Sequence, residues 1–332
     1  MIVRNLGRAA RAALWCAVST LSTLSAVAHA APQEVTYLLA APPTTPAYAP
    51  WMIANEKGYY AQEGLRMRFV TARGGVDVAK QLGSGNALLG SAIGDTAVIV
   101  RANGVPVRTV ALLGSGSLTH LVVRRDAGIK SVADLRGKAI SVMAYGDTTY
   151  YALLGLLRTA GLGKDDVRIE AGGPSGVWQQ YAAGQAPAMA AVPEWIVMAE
   201  KQGVASDFLP LKGDFYSMAQ AIIASDDAIA NHPEIVAKVV RATLRAQQDI
   251  IDDPRAAALV YAKAVPSFAG KEAQAEETFR LYIKYVYGDQ KVRGWTAPER
   301  LAAVQRFYVQ EGIVRQASAL DALYTNRFAG LK

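Results

Sequence analysis

The chain has 332 residues, with 35 lysines and arginines against 28 aspartates and glutamates, 52% hydrophobic residues and a single cysteine, Cys16. The basic residues are scattered and form no run, which argues against a nucleic-acid surface. Beyond Cys16 no thiol is left for disulfides, thiolate metal sites or a cysteine nucleophile.

The first 30 residues read as a cleavable export signal. Arg4, Arg8 and Arg11 precede an apolar run over 12–27, and Ala28-His29-Ala30 supplies small residues at the cleavage point. About 15 apolar residues interrupted by Ser and Thr are too few to span a bilayer. No adjacent Arg-Arg pair occurs there, which favours the general export route over the twin-arginine one. Cys16 sits inside the apolar run, so lipidation is not expected. Removal of the signal leaves a net charge of about +4 and about 300 residues, a length that normally divides into two domains.

Strand and helix signals then alternate. A strand over 35–40 leads through Pro43-Thr44-Thr45-Pro46-Ala47-Tyr48 into a helix over 47–62 and a strand over 66–70. Gly74-Gly75 opens a helix ending near 82, followed by a strand over 88–93. Gly94-Asp95-Thr96 is predicted to cap a helix to 102. The apolar run 107–113 suits a sheet covered on both faces. Beyond Gly114-Ser115-Gly116-Ser117 come a strand over 121–124, a capping box at Ser131-Val132-Ala133-Asp134 and a strand over 139–143. A helix over 148–160, ended by Gly161, precedes a strand over 167–171. A helix over 174–183, a strand over 188–192, a helix over 194–202, a short closing segment over 208–211 and a strand over 219–224 complete the alternation. From Asp226 the pattern is helical only. Val236, Val239, Val240, Leu244 and Ile251 form one apolar stripe. Further helices are predicted over 255–264, 272–287 and 298–311, with a second capping box at Thr296-x-x-Glu299.

Three segments resemble the nitrate, sulfonate and pyrimidine-precursor branch of ABC-transporter solute-binding proteins, whose members typically carry Gly-Tyr-Phe-x-x-Glu-Gly-Leu. That run appears here as Gly58-Tyr59-Tyr60-Ala61-Gln62-Glu63-Gly64-Leu65. Gly137-Lys138-Ala139-Ile140-Ser141-Val142 followed by Gly146-Asp147-Thr148 matches a second family segment, with Asp147 where Ser is usual. Ala183-Gly184-Gln185-Ala186-Pro187-Ala188 matches a third, whose closing Trp-Glu-Pro is permuted here to Pro193-Glu194-Trp195. The resemblance implies an α/β periplasmic-binding-protein type II fold, two lobes joined by a two-strand hinge. Lobe one would comprise 33–117 with 216–332, lobe two 118–215, and the crossovers would lie near 115–118 and 213–217. Glycines there suit the backbone change of hinge closure.

The candidate ligand loops follow from where strands meet helix N-termini. Tyr145, Gly146, Asp147, Thr148 and Thr149 precede a helix whose free N–H groups and dipole favour an anion. The competing reading is that Asp147 caps the helix and takes those N–H groups itself. Thr44, Thr45 and Tyr48 form the mirror loop, with the Tyr48 ring as a wall for an apolar body. Gly75, Asp95 and Thr96 open neighbouring helices at the same edge. Glu194 stands either as an acceptor for a ligand amine or hydroxyl or as a favourable charge at a helix start. Trp195 and Phe215 are cleft candidates, with core packing as the default. His120 and His232 lie far apart without metal-ligand spacing, so no metal or other cofactor is expected.

The resemblance implies a monomeric receptor that captures a small organic anion, an alkyl or aromatic sulfonate or carboxylate, and delivers it to an ABC permease and its ATPase. Membrane contact would come only through the permease. Nitrate or a pyrimidine precursor are alternative ligands, and a sensor-docking subunit is an alternative role. Related pyrimidine-synthesising enzymes carry a cysteine-rich motif that is absent here, so an enzyme is not expected.

Overall fold

Two five-stranded mixed sheets with the same internal order organise the molecule. A computed structural model describes residues 31–210, 215 and 217–331. The expected export signal and most of the second expected crossover fall outside the described residues. Residues 32–332 form one compact unit. Among the described residues no helix is long and apolar enough to cross a membrane.

The first sheet runs β2-β1-β3-β10-β4. Strands β1 (Gln33–Leu39), β2 (Leu65–Thr71) and β3 (Leu89–Ile93) are parallel, and β10 (Gln220–Ser225) lies antiparallel between β3 and β4 (Val107–Leu112). The second sheet repeats the pattern as β7-β6-β8-β5-β9. Here β6 (Ala139–Val142), β7 (Arg168–Ala171) and β8 (Ala188–Ala191) are parallel, while β5 (His120–Arg124) lies antiparallel between β8 and β9 (Ser206–Phe208). In each sheet the antiparallel strand is the one that has arrived from the other sheet. The central strands are buried throughout because helices cover both faces: every residue of β3, β6, β8 and β10 is buried, the few polar ones (Ser91, Ser141, Gln220 and Ser225) included.

Helices α1 (Ala49–Glu56), α2 (Tyr59–Gln62), α3 (Gly75–Gly83) and α4 (Thr96–Arg101) connect the strands of the first sheet. The single helix expected over 47–62 is two helices, because Gly58 takes a left-handed φ of 71° that breaks the ladder. Helices α5 (Thr148–Arg158), α6 (Gly173–Ala182) and α7 (Pro193–Lys201) serve the second sheet. The helical tail comprises α8 (Asp226–Asn231), α9 (Pro233–Asp252), α10 (Pro254–Ala264), α11 (Glu272–Tyr282) and α12 (Pro298–Gln310). A π-helical turn, Ile283–Tyr287, extends α11.

The tail is fastened to the beginning of the chain. Helix α9 meets the Gly58–Leu65 motif through a forked Arg241–Glu63 pair at 2.6 and 3.0 Å, and Tyr60 Oη lies 2.7 Å from Thr243 Oγ1. Tyr59 Oη donates to Asp249 at 2.7 Å. The Ser131–Asp134 capping box forms, but the one expected at Thr296 does not. Ala297 is the N-cap of α12, and the Thr296 N–H is held instead by the Asn326 side chain at 2.8 Å.

Where the chain crosses between sheets, the two passing segments are bonded to each other. Leu118 N–H donates to the Met218 carbonyl at 3.1 Å, and the Ser117 hydroxyl donates to the Ser217 carbonyl. The half-buried Arg300 guanidinium, from α12, donates to the carbonyls of Ser115, Gly116 and Ser217, so one side chain grips both segments. Gly114 and Gly116 pack so closely on the π-helical turn that a Cβ on either would collide with the carbonyls of Val286 and Tyr285. Close approach requires glycine at both positions, and at Gly114 a φ of 143° requires it as well.

Candidate functional site

The strand ends of the two sheets face each other across a narrow cleft of about 440 Å³ including its open mouth. Only about 50 Å³ of it is open to the centre of a water molecule. Of the sequence candidates, Thr45, Tyr48, Asp147, Thr148, Thr149, Glu194 and Trp195 line this space. Ala41, Leu118, Met143, Val192 and Gln220 complete its wall, and none of these was singled out from sequence. Four are ordinary core types and Gln220 is a buried amide whose Oε1 has no partner among the described residues; only the juxtaposition of two distant sheets places them here.

The first half contributes the β1–α1 loop. Tyr48 is buried, and its hydroxyl accepts the Ala41 N–H at 3.0 Å, which folds the loop back on itself. The Thr44 carbonyl accepts from Tyr261 Oη at 2.9 Å, and Thr44 itself belongs to a second, outer chamber described below. Gly75 does not line the cleft but lies directly behind it. Its N–H donates to Asp147 Oδ2 across the cleft at 3.1 Å, and a Cβ there would come within 2.9 Å of Thr148 Oγ1.

The second half contributes two buried carboxyls. Asp147, at the N-cap of α5, accepts the Thr149 N–H at 2.9 Å and the Thr149 hydroxyl at 2.6 Å with Oδ1. Its other oxygen takes the Gly75 N–H. The carboxylate therefore takes the Thr149 and Gly75 N–H groups itself, the arrangement of the capping reading. Burial pushes the Asp147 carboxyl up, against the pull of these hydrogen bonds.

Glu194 lies one position into α7, where Pro193 fixes the first turn. Its Oε2 accepts from Tyr282 Oη at 2.7 Å, a bond from α11 across to α7. Its Oε1 is buried without a partner among the described residues. Burial raises the carboxyl to about 7, opposed in part by the Tyr282 hydrogen bond. The phenols of Tyr48, Tyr261, Tyr282 and Tyr287 surround it, each pushed up chiefly by its own burial. No Lys, Arg or His is among the described lining residues of the cleft.

The remaining candidates are placed elsewhere. Asp95 does not cap α4; it is buried, accepting the Met218 N–H at 2.6 Å and the Tyr308 hydroxyl at 2.9 Å beside Arg300. It holds the second passing segment against α12. Thr96 is fully buried in the same layer. Tyr145 is 56% exposed and donates to the Ile169 carbonyl at 2.8 Å, and Gly146 beside it is exposed. Phe215 packs on Phe307, Tyr308 and the bare backbone of Gly155, so its role is core packing. His120, stacked edge-on against Phe208 and Tyr285, is lowered by burial to about 4 and is therefore neutral. No cluster of three potential metal ligands occurs among the described residues.

The doubled sheet order and interdigitated connections define a periplasmic-binding-protein type II fold, with its cleft between two α/β halves. In agreement, the chain superposes with the alkanesulfonate-binding protein SsuA from Xanthomonas axonopodis pv. citri, solved with MOPS bound, at a TM-score of 0.69 and 18% identity, over 89% of this chain and 100% of that one. The sequence profile of the NMT1/THI5 like family matches residues 45–257, and the chain belongs to that family. It is 29% identical to the riboflavin-binding protein RibY of Chloroflexus aurantiacus over 72% of this chain and 71% of that protein. It is 27% identical to the 4-amino-5-hydroxymethyl-2-methylpyrimidine phosphate synthase of Aspergillus parasiticus over 67% and 68% of the two chains. Its relatives thus include one protein named for binding and one named as a synthase.

Proposed function

We propose that the chain is the periplasmic solute-binding component of an ABC import system, exported by its N-terminal signal and delivering its ligand to a permease and ATPase. Within that role, the inner cleft receives the N–H-bearing head of a small heterocycle, in place of the acid group of the organic anion expected from sequence. The observation that carries this reading is the pair of buried carboxyls, Asp147 and Glu194, in a cleft with no basic side chain among its described lining residues. A sulfonate or carboxylate there would face two acids without a compensating cation. A ring N–H or amine would meet the unpartnered Glu194 Oε1. Two relatives support the heterocycle, since one is named for riboflavin and the other for an aminopyrimidine. Binding is preferred to synthesis because Cys16, the only thiol, lies within the expected export signal.

Calorimetry on the chain from Ala31 onward, against riboflavin, 4-amino-5-hydroxymethyl-2-methylpyrimidine, alkanesulfonates and aromatic carboxylates, tests the reading. The expected result is saturable binding of an N–H-bearing heterocycle that weakens at least tenfold in Glu194→Ala. Tighter binding of a sulfonate or carboxylate, unaffected by that substitution, would overturn it.

A further inference from the structure

Beyond the inner cleft lies a second chamber that shares Thr45, Glu194 and Trp195 with it. The outer chamber is roomier, with about 260 Å³ open to the centre of a water molecule against about 50 Å³ inside. Both halves of the molecule build it: the β1–α1 loop and the α10–α11 connection from one side, the N-terminal part of α6 and the outer face of α7 from the other. Its walls are flat and stiff, with Pro42, Pro46, Pro174, Trp178, Trp195 and Phe268. Lys271, the one cationic side chain among the described residues lining either chamber, stands at its rim and donates to the Ser267 carbonyl at 3.0 Å. With Glu194 shared, the two chambers differ by Asp147 on the inner side and Lys271 on the outer.

We infer that the ligand is bipartite: its N–H-bearing head enters the inner cleft, its flat body lies in the outer chamber against Trp178 and Trp195, and an anionic arm reaches Lys271. This rests on the reading of the inner cleft as the seat of the head group. Because Glu194 and Trp195 border both chambers, a single ligand lying past them would occupy the two together, and the aromatic faces give a ring contact area that the inner cleft is too small to supply. The arm also accounts for how a cleft with an acidic interior can select an acidic solute: the negative group stays outside, at the lysine. Because the outer walls come from both halves, occupancy would favour the arrangement in which they are apposed.

Matched probe pairs separate this inference from the one beneath it. Calorimetry would compare riboflavin with its 5′-phosphate, and 4-amino-5-hydroxymethyl-2-methylpyrimidine with its phosphate, on the wild-type chain and on Lys271→Met. The expected result is that a phosphate probe binds about tenfold tighter than its alcohol. The advantage should vanish in Lys271→Met while the affinity for the alcohol stays unchanged. Lys271 is exposed, so the variant should fold; Trp178→Ala should weaken both members of the riboflavin pair alike. If an alcohol binds and its phosphate shows no advantage, or if Lys271→Met weakens both equally, the bipartite reading falls and the inner-cleft reading stands. If no probe of either kind binds, both readings fall together.

Discussion

Asp147 and Glu194 stand at the N-termini of two helices that follow neighbouring strands of one sheet, are almost equally buried, and face the same cleft, yet their surroundings differ. Asp147 is surrounded by donors: two from its own helix and one from across the cleft. Glu194 has one phenol on Oε2 and no partner in full hydrogen-bond geometry on Oε1 among the described residues, with the N–H groups of Ala47 and Glu194 near the carboxyl. A buried acid that is fully engaged is part of the scaffold. One that is half engaged has capacity left for a ligand. The contrast between holding and receiving follows from the count of donors around each acid, since burial is much the same for both.

The largest expected effect is on pH dependence. A carboxyl whose native value is raised from about 4.5 to about 7 holds its proton more tightly when folded. Its stabilising contribution is fully present below the unfolded value and is lost as pH rises through about 7, amounting to at most about 3 kcal/mol. Urea unfolding of the wild type and Glu194→Gln between pH 4 and pH 8 should show the wild type losing stability relative to the variant over that window. Taking the difference between the two proteins removes the opposing contribution of His120, whose lowered value acts in the other direction. Parallel curves would place Glu194 on the scaffold side of the comparison.

Asp147→Ala should cost about 2 kcal/mol by the same unfolding measurement, since it removes the cap of α5 and leaves the Gly75 N–H unpaired. Asp147→Asn, which keeps an acceptor, should lose about half as much. A cost near zero would mean that relief of a buried acid offsets the cap. Tyr282→Phe should cost about 1 kcal/mol and, by removing the bond that lowers the Glu194 carboxyl, shift the wild-type pH midpoint upward. A downward shift would contradict the assigned donor. The smallest effect expected is for Thr149→Val, about 0.5–1 kcal/mol, because the backbone N–H bond to Asp147 survives loss of the hydroxyl.

The alternation of elements was legible in the sequence because central strands buried on both faces are short apolar runs, and β3, β4, β8 and β10 read as such. Boundaries failed where tertiary contacts overrode local signals. Thr296 has a capping pattern, but Asn326 takes its backbone and Pro298 starts the helix without it. The Gly58–Leu65 motif is engaged by α9, nearly 200 residues later, and its side chains hold the tail to the first sheet with none among the lining residues of the cleft. The motif that is sharpest in sequence thus speaks for the fold and says little about the ligand. In the site, the loop positions were legible as strand-to-helix turns. Their chemistry was less so, because whether Asp147 takes the helix N–H groups itself depends on Gly75, and whether Glu194 is half satisfied depends on Tyr282. Both partners belong to segments that no local pattern connects to these acids.

The grip of Arg300 on both passing segments also has a mechanical meaning. Two separate strands between rigid bodies could slide past one another, and the halves could shear as well as bend. Here the carbonyls of Ser115, Gly116 and Ser217 converge on one planar guanidinium, and Leu118 and Met218 are stitched beside it. A fork that bonds to both strands at once resists their relative translation. The joint between the two sheets is thus riveted at one side chain, which holds the two passing segments in a common register.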